Sequence, residues 1–278
     1  MMFDVLIIGG GQAGSMTAIN LRKQNFEGSI AIITEETHHP YQRPPLSKGF
    51  LTGDVKQENL FFKSESYYEK NKIKVFLKSH AVSIETKKQK VILGDGEEIK
   101  YKKLVIATGS KLNKITPEED EKIIYLNSMS KAINLKKRLE EHKSIGIIGA
   151  GYIGLEVAAT AKKMDLKTTV FEAEKRIMKR SASDVIANFI KSYHEKMGVE
   201  FKLGLRAQKI MTEDRLRVVL NDGQILDPDF VVIGVGVQAA CDIAQEAGID
   251  CNNGILVDET CLTSEENIYA AGDCVSYY

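Results

Sequence analysis

Two glycine-rich turns, 140 positions apart, constrain this chain more than anything else in it: Gly9-Gly10-Gly11-Gln12-Ala13-Gly14 and Gly149-Ala150-Gly151-Tyr152-Ile153-Gly154 both read GxGxxG. Each follows a short β-branched run, Asp4–Ile8 and Ser144–Gly149, and each opens an amphipathic stretch, Gly14–Asn25 and Gly154–Met164. The pattern asks a strand to turn sharply into a helix and the backbone to approach a pyrophosphate. Its third glycine lets the helix pack on the sheet, and the helix N-terminus faces the anion. Alone the signature is weak. Here an acidic residue, Glu35 or Glu172, stands about twenty residues later at the end of the next strand, Ser29–Thr34 or Lys167–Glu172, where a ribose would be held.

The plan repeats as whole domains. After the first βαβ run, Val75–Leu77, Ala81–Glu85 and Lys90–Leu93 read as a meander closed by Gly94-Asp95-Gly96, and Leu104–Thr108 returns to the sheet. After the second, helix Ala182–Met197 leads to a meander of Glu200–Leu203 and Arg217–Leu220 with the turn Asn221-Asp222-Gly223, and Phe230–Ile233 closes the unit. The expected fold is α/β, with two Rossmann-like nucleotide-binding domains, the second inserted into the first and each carrying a small antiparallel meander. The expected boundaries are 1–110, 111–236 and 237–278, with linkers at 110–120 and 236–242.

Charge narrows the partners. Thirty-eight basic residues balance 38 acidic ones, so neither nucleic acid nor an anionic membrane surface is expected to attract the chain as a whole. The apolar start Val5-Leu6-Ile7-Ile8 is too short for a signal-peptide core and has no basic residues before it. No membrane span is expected, and a cytoplasmic location is. Cys241, Cys251, Cys261 and Cys274 form no CxxC and read as small, partly buried residues; no metal site is expected.

The segment His39-Pro40-Tyr41-Gln42-Arg43-Pro44-Pro45-Leu46-Ser47-Lys48 resembles the ferredoxin reductase branch of the FAD-dependent pyridine nucleotide reductases. That branch includes reductases of oxygenase systems, rubredoxin reductases and apoptosis-inducing factor. Val105–Ser110, the run Gly151-Tyr152-Ile153-Gly154-Leu155-Glu156 and Tyr269-Ala270-Ala271-Gly272-Asp273 extend the likeness along the chain. The resemblance implies FAD on the first domain, held by Gly9, Gly11, Ala13, Gly14, Glu35, Arg43, Lys48, Val82, Ala107, Thr108, Gly109 and Asp273. Glu35 would take the ribose, Val82 the adenine and Asp273 the ribityl chain. It implies NAD on the second domain, held by Gly149, Gly151, Tyr152, Ile153, Gly154, Glu156, Glu172 and Gly236. Lys48 and Glu156 would face each other near flavin N5, the lysine favouring the negative charge of reduced flavin. A surface lysine and a solvent-facing glutamate are the plainer alternatives.

Glu172 favours NADH, because a carboxylate at that position repels a 2′-phosphate. Lys175, Arg176, Lys179 and Arg180 follow it and argue for NADPH, although a basic run is more often a solvated face. Three departures from the family stand out. Asn127 takes a position where an arginine often contacts FAD; Gln238-Ala239-Ala240 replaces a usual Pro-Asn pair; and the sequence ends at Tyr278, where the family continues with a helix and a third, interface domain.

Disulfide-using relatives carry cysteines near the segment that here reads Tyr41–Lys48, whereas this chain has none before Cys241. Electrons are therefore expected to leave the flavin directly. The expected activity is an NADH:ferredoxin or rubredoxin reductase, with an iron–sulfur protein as partner, in a monomer or homodimer. The alternatives are a monodehydroascorbate reductase, an NADH oxidase-like enzyme, and a redox switch of the apoptosis-inducing-factor type.

Overall fold

In the computed structural model, which describes residues 1–116 and 120–277, the first strand shows why the chain opens on an unbroken apolar run. In β1 (Met2–Ile8), Val5 and Ile7 face one layer with Ala18 and Tyr68, while Leu6 and Ile8 face the other with Ile84 and Val91. A strand covered on both faces has no polar side, as in parallel sheets wrapped by helices. The chain falls into two compact units: 1–42, 60–111 and 237–278 form one, and 43–59 with 112–236 the other.

In unit one, α1 (Gln12–Lys23) follows β1, and β2 (Ile30–Ile33) pairs parallel with it. Helix α2 (Glu65–Lys70) then leads to β3 (Ile73–Phe76). The long β6 (Glu98–Ile106) lies parallel to the other side of β1 and carries an antiparallel flap, β5 (Lys90–Leu93) and β4 (Ala81–Glu85).

Unit two repeats this with β7 (Ile123–Ile124), α3 (Met129–Glu141), β8 (Ser144–Ile148), α4 (Tyr152–Lys163), β9 (Lys167–Glu172), α5 (Asp184–Lys196) and β10 (Val199–Leu203). A three-stranded meander of β11 (Ala207–Met211), β12 (Arg217–Leu220) and β13 (Ile225–Leu226) follows, and β14 (Phe230–Ile233) closes the sheet in the order β10-β9-β8-β14-β7. The chain then returns to unit one through α6 (Asp242–Glu246), β15 (Ile255–Val257), β16 (Ile268–Ala270) and β17 (Val275–Tyr277), with β16 parallel to β6.

Two strands are corrected. Val75–Leu77 and Glu200–Leu203, expected as meander strands, belong to the parallel sheets: β3 pairs parallel with β2, and β10 parallel with β9. The reason is the same in both places. Each strand follows a helix, and a strand reached by a helical crossover joins its sheet in parallel. In unit two the missing meander strand is β11. Its sequence, Ala-Gln-Lys-Ile-Met, lacks the apolar alternation that marks a strand.

One segment is redistributed as well. Residues 43–59, expected within the first domain, pack in unit two, where the turn Pro44–Ser47 meets α3 and α4 and the short helix Gly49–Thr52 meets α3. The linker expected at 110–120 falls partly on residues outside the described range. Among the described residues, no helix is long and apolar enough to cross a membrane.

Candidate functional site

In unit one the three signature glycines of the first turn, Gly9, Gly11 and Gly14, do different work. A Cβ on Gly9, whose φ is +114°, would lie 2.0 Å from the Ala107 carbonyl oxygen. A Cβ on Gly14 would lie 2.0 Å from the Gly9 oxygen. These two pack the turn on itself. Gly11 differs: a Cβ there would meet no protein atom within 4 Å, and the residue stands at the N-cap of α1 with no side-chain cap. Its bareness keeps the backbone open toward the helix N-terminus, which suits a pyrophosphate.

Of the rest of the first set, Ala13, Glu35, Val82, Ala107, Thr108, Gly109 and Asp273 lie in this unit, and Arg43 and Lys48 lie in unit two. Gly272 brings the end of β16 so close to α1 that a Cβ would lie 2.8 Å from the Ala13 methyl, which sets exposed Asp273 beside the turn. Ala107 is buried. The Thr108 hydroxyl donates to the Ala240 carbonyl at 2.6 Å, and the Gly109 carbonyl accepts from the Ala240 N–H at 2.9 Å. Glu35 projects into solvent past β2 and pairs with the His80 ring. Val82 lies on β4, 40% exposed. These residues fit FAD. His80 was not legible in the sequence, since 45 positions separate it from Glu35.

Unit two repeats the division of labour. A Cβ on Gly149, at φ +104°, would lie 2.3 Å from the Gly234 oxygen, and one on Gly154 would lie 2.1 Å from the Gly149 oxygen. A Cβ on Gly151 would meet nothing within 4 Å. Tyr152 and Ile153, in the first turn of α4, are exposed. Gly236 has φ +100°, and its carbonyl accepts from the Asn113 N–H at 3.1 Å. These residues fit a second dinucleotide.

Glu172 is more constrained than its counterpart Glu35. Its Oε2 accepts from the Ala150 N–H at 2.7 Å, and its Oε1 from the Glu174 N–H at 2.9 Å. The carboxylate is therefore fixed to the glycine turn itself. The basic run after it is partly engaged by neighbours. Arg176 pairs with Asp184 at 2.8 Å, and Lys179 with Glu174 at 2.6 Å, which holds the Glu174 carboxyl below its ordinary range. Replacing Glu172 by serine is expected to weaken NADH and narrow the NADH/NADPH ratio of kcat/KM by about 1–3 kcal/mol. Steady-state kinetics with both cofactors check this, and an unchanged ratio would count against a ribose role.

Unit two also holds Arg43–Lys48, the second part of the segment quoted for the family likeness. Pro44 and Pro45 fix two φ angles and start a tight turn, closed by Leu46 N–H to the Arg43 carbonyl at 3.0 Å and Lys48 N–H to the Pro45 carbonyl at 3.1 Å. The turn presents Lys48, whose Nζ lies 2.8 Å from Glu156 Oε2. The Ser47 hydroxyl donates to the same oxygen at 2.5 Å, and the Thr160 hydroxyl donates to the Ser47 carbonyl at 3.3 Å. A cavity of about 280 Å³ opens beside this group, lined by Lys48, Asp54, Glu156, Thr160 and Lys163 among others. The Arg43 guanidinium donates to the backbone carbonyl of Asn127. Ser47 is a buried member of the group that sequence reasoning missed; its only signal was its place beside Lys48.

The thiols lie elsewhere. Cys274 is fully buried in the core, and its Sγ donates to the carbonyls of Ile106 and Ala271 at 3.5 and 3.4 Å. All four cysteines are free.

The family profile of the pyridine nucleotide-disulphide oxidoreductases matches residues 3–278. The chain belongs to that family. Within it, the ferredoxin reductase branch is the one that fits. The chain is 38% identical over 274 residues to rubredoxin-NAD(+) reductase of Pseudomonas putida, covering 97% of this chain and 71% of the relative. Among solved structures, it superposes on putidaredoxin reductase in its covalent complex with putidaredoxin with a TM-score of 0.95 and 31% identity, covering 99% of this chain and 68% of that one. The ferredoxin reductase of the CYP199A2 system from Rhodopseudomonas palustris gives a TM-score of 0.92 and 38% identity, covering 99% and 69%. This member of the family is an FAD-dependent NAD(P)H oxidoreductase.

Proposed function

We propose that this oxidoreductase carries electrons from NADH through FAD to a small iron–sulfur protein of the ferredoxin or rubredoxin type, in the cytoplasm. FAD, when bound, would supply the chemistry that accepts a hydride and releases single electrons. The protein's own part is binding, orientation and charge. Gly11 and Gly151 keep two helix N-termini open, one for each dinucleotide. Glu35 and Glu172 receive the riboses. Lys48 carries a positive charge toward the flavin, while Glu156 keeps that charge oriented and Ser47 fixes Glu156.

The observation that supports this reading most is the Lys48–Glu156 ion pair, at 2.8 Å, on the segment where thiol-using relatives carry cysteine. On this reading sulfur takes no part in the electron route. Changing Cys241, Cys251, Cys261 and Cys274 together to serine or alanine is therefore expected to leave NADH-dependent ferricyanide reduction within a few-fold of the parent. Anaerobic titration should consume about one equivalent of NADH per flavin. A second equivalent, or lost turnover with FAD still bound, would move the protein to the thiol-using part of the family. Comparing iron–sulfur carriers, ascorbyl radical and oxygen as acceptors tests the acceptor class; a marked preference for either of the last two would overturn the iron–sulfur assignment.

A further inference from the structure

Glu172 is held by two backbone N–H groups, those of Ala150 and Glu174. Glu35 has no such hold, and the register of the sheets accounts for the difference. β1 pairs Ile8 with Ile33, and β8 pairs Ile148 with Phe171, so the residue in the place of Glu172 is Thr34. Its side chain fills the space beside the first turn: a Cβ on Gly10 would lie 2.8 Å from the Thr34 Oγ1. Glu35 stands one residue further on and projects into solvent. Among the described residues, no backbone N–H reaches its carboxylate; the His80 ring does, through Nδ1 to Oε1. The path of the chain brings His80 there. After β3, Lys78 takes a left-handed φ of +53°. Its N–H donates to the Glu36 carbonyl at 3.1 Å, and the Ser79 N–H donates to the Thr34 carbonyl at 2.9 Å. On the other side, the His80 carbonyl accepts from the Gly94 N–H of the flap at 2.8 Å. The backbone of residues 78–80 is thus tied both to the end of β2 and to the end of β5, and the ring is delivered to the carboxylate that stands between Thr34 and Glu36.

We propose that His80 is a positioning residue for FAD: it holds the Glu35 carboxylate in the orientation that receives the adenosine ribose, the task that backbone N–H groups perform for Glu172. The inference rests on Glu35 taking that ribose. A carboxylate oxygen accepts, so the Nδ1 that faces it carries the hydrogen. A surface glutamate otherwise samples many rotamers and gives them up on binding. A partner that selects one of them beforehand lowers that cost. Both side chains are more than half exposed, so water screens the pair and its effect on affinity is modest.

The test measures the FAD dissociation constant of the loaded full chain, from flavin fluorescence in the ultrafiltrate, for the parent and for E35A, H80A, H80N and the double variant E35A/H80A. E35A is expected to weaken FAD binding, and H80A to weaken it about 2- to 5-fold. H80N keeps a donor about where Nδ1 stands and should bind within about 2-fold of the parent. The double variant should bind FAD like E35A alone, because His80 then has no carboxylate to hold. Parental affinity in H80A beside a weakened E35A would overturn the proposal and leave the ribose reading standing. Parental affinity in E35A would overturn the ribose reading and the proposal with it. An H80A loss that persists undiminished in the E35A background would mean that His80 meets the cofactor by itself. H80N binding no better than H80A would mean that the donor is not what counts. Either of these results overturns the positioning role.

Discussion

Exchanging Lys48 for methionine is expected to slow flavin reduction by NADH about 10- to 100-fold while FAD stays bound. Stopped-flow absorbance of the flavin measures it. The size follows from the surroundings of the ammonium. A preorganised donor in a fully desolvated site is worth about 10²–10³ in rate. The Lys48 side chain is 52% exposed, so solvent screens part of its field. Methionine keeps most of the apolar stem, which protects the turn after Pro44 and Pro45. It leaves Glu156 with the Ser47 hydroxyl but without its counter-charge, and this adds to the loss. An unchanged reduction rate would make Lys48 a structural residue and remove the electrostatic half of the assignment.

The glycines of the second turn should separate into two classes when each is changed to alanine. Gly149→Ala is expected to destabilise the protein by at least about 3 kcal/mol, because its methyl would sit 2.3 Å from the Gly234 backbone oxygen at a φ of +104°. Neither a carbonyl nor a left-handed residue yields cheaply. Gly151→Ala meets no protein atom within 4 Å and has an ordinary φ of −84°. Its stability should change by less than about 1 kcal/mol, the cost of alanine at an N-cap. Its affinity for NADH should nevertheless fall at least about 10-fold, since the methyl points where the pyrophosphate must come. Denaturant melts and NADH titration of the two FAD-loaded variants check both halves. A Gly151→Ala protein that binds NADH like its parent would mean that this turn does not cradle a dinucleotide.

What could be read before the structure was whatever depends on short-range chemistry. A glycine turn between an apolar strand and a helix has one common use, and both turns stand where the sequence puts them. β9 and β14 coincide with the expected strands because a short apolar run between turn signals leaves little choice. β3 and β10 were harder. A local pattern identifies a strand without naming its neighbour, and the crossover that makes both parallel is a fact about chain path. β11 was invisible because two of its five residues, Gln208 and Lys209, are polar neighbours in sequence, and its pairing slips by one residue at that point.

The candidate site divides in the same way. Lys48 and Glu156 were legible only through a resemblance, since 108 positions separate them and no periodicity links the two. Ser47 needed coordinates, because a hydroxyl beside a lysine reads as nothing in particular until a carboxylate is found 2.5 Å away. Glu172 was rightly singled out as the acid ending its strand. Its bond to Ala150 shows that the same carboxylate also shapes the turn, a second duty that no spacing encodes.

Helix α4 is capped by Gly151, carries Glu156 in its second turn and holds the Ser47 carbonyl through Thr160. It therefore behaves as a ruler. The bare glycine and the glutamate are five residues apart, about 7.5 Å along one stiff rod, and the lysine is read off the second mark. A dinucleotide that seats against the start of this rod is automatically indexed to the ammonium, with no adjustable loop between them. One residue added between the two marks would turn the carboxylate by about 100° around the axis. Both ends could then be chemically intact and still be out of step, so in this part of the protein length is as much a functional quantity as charge.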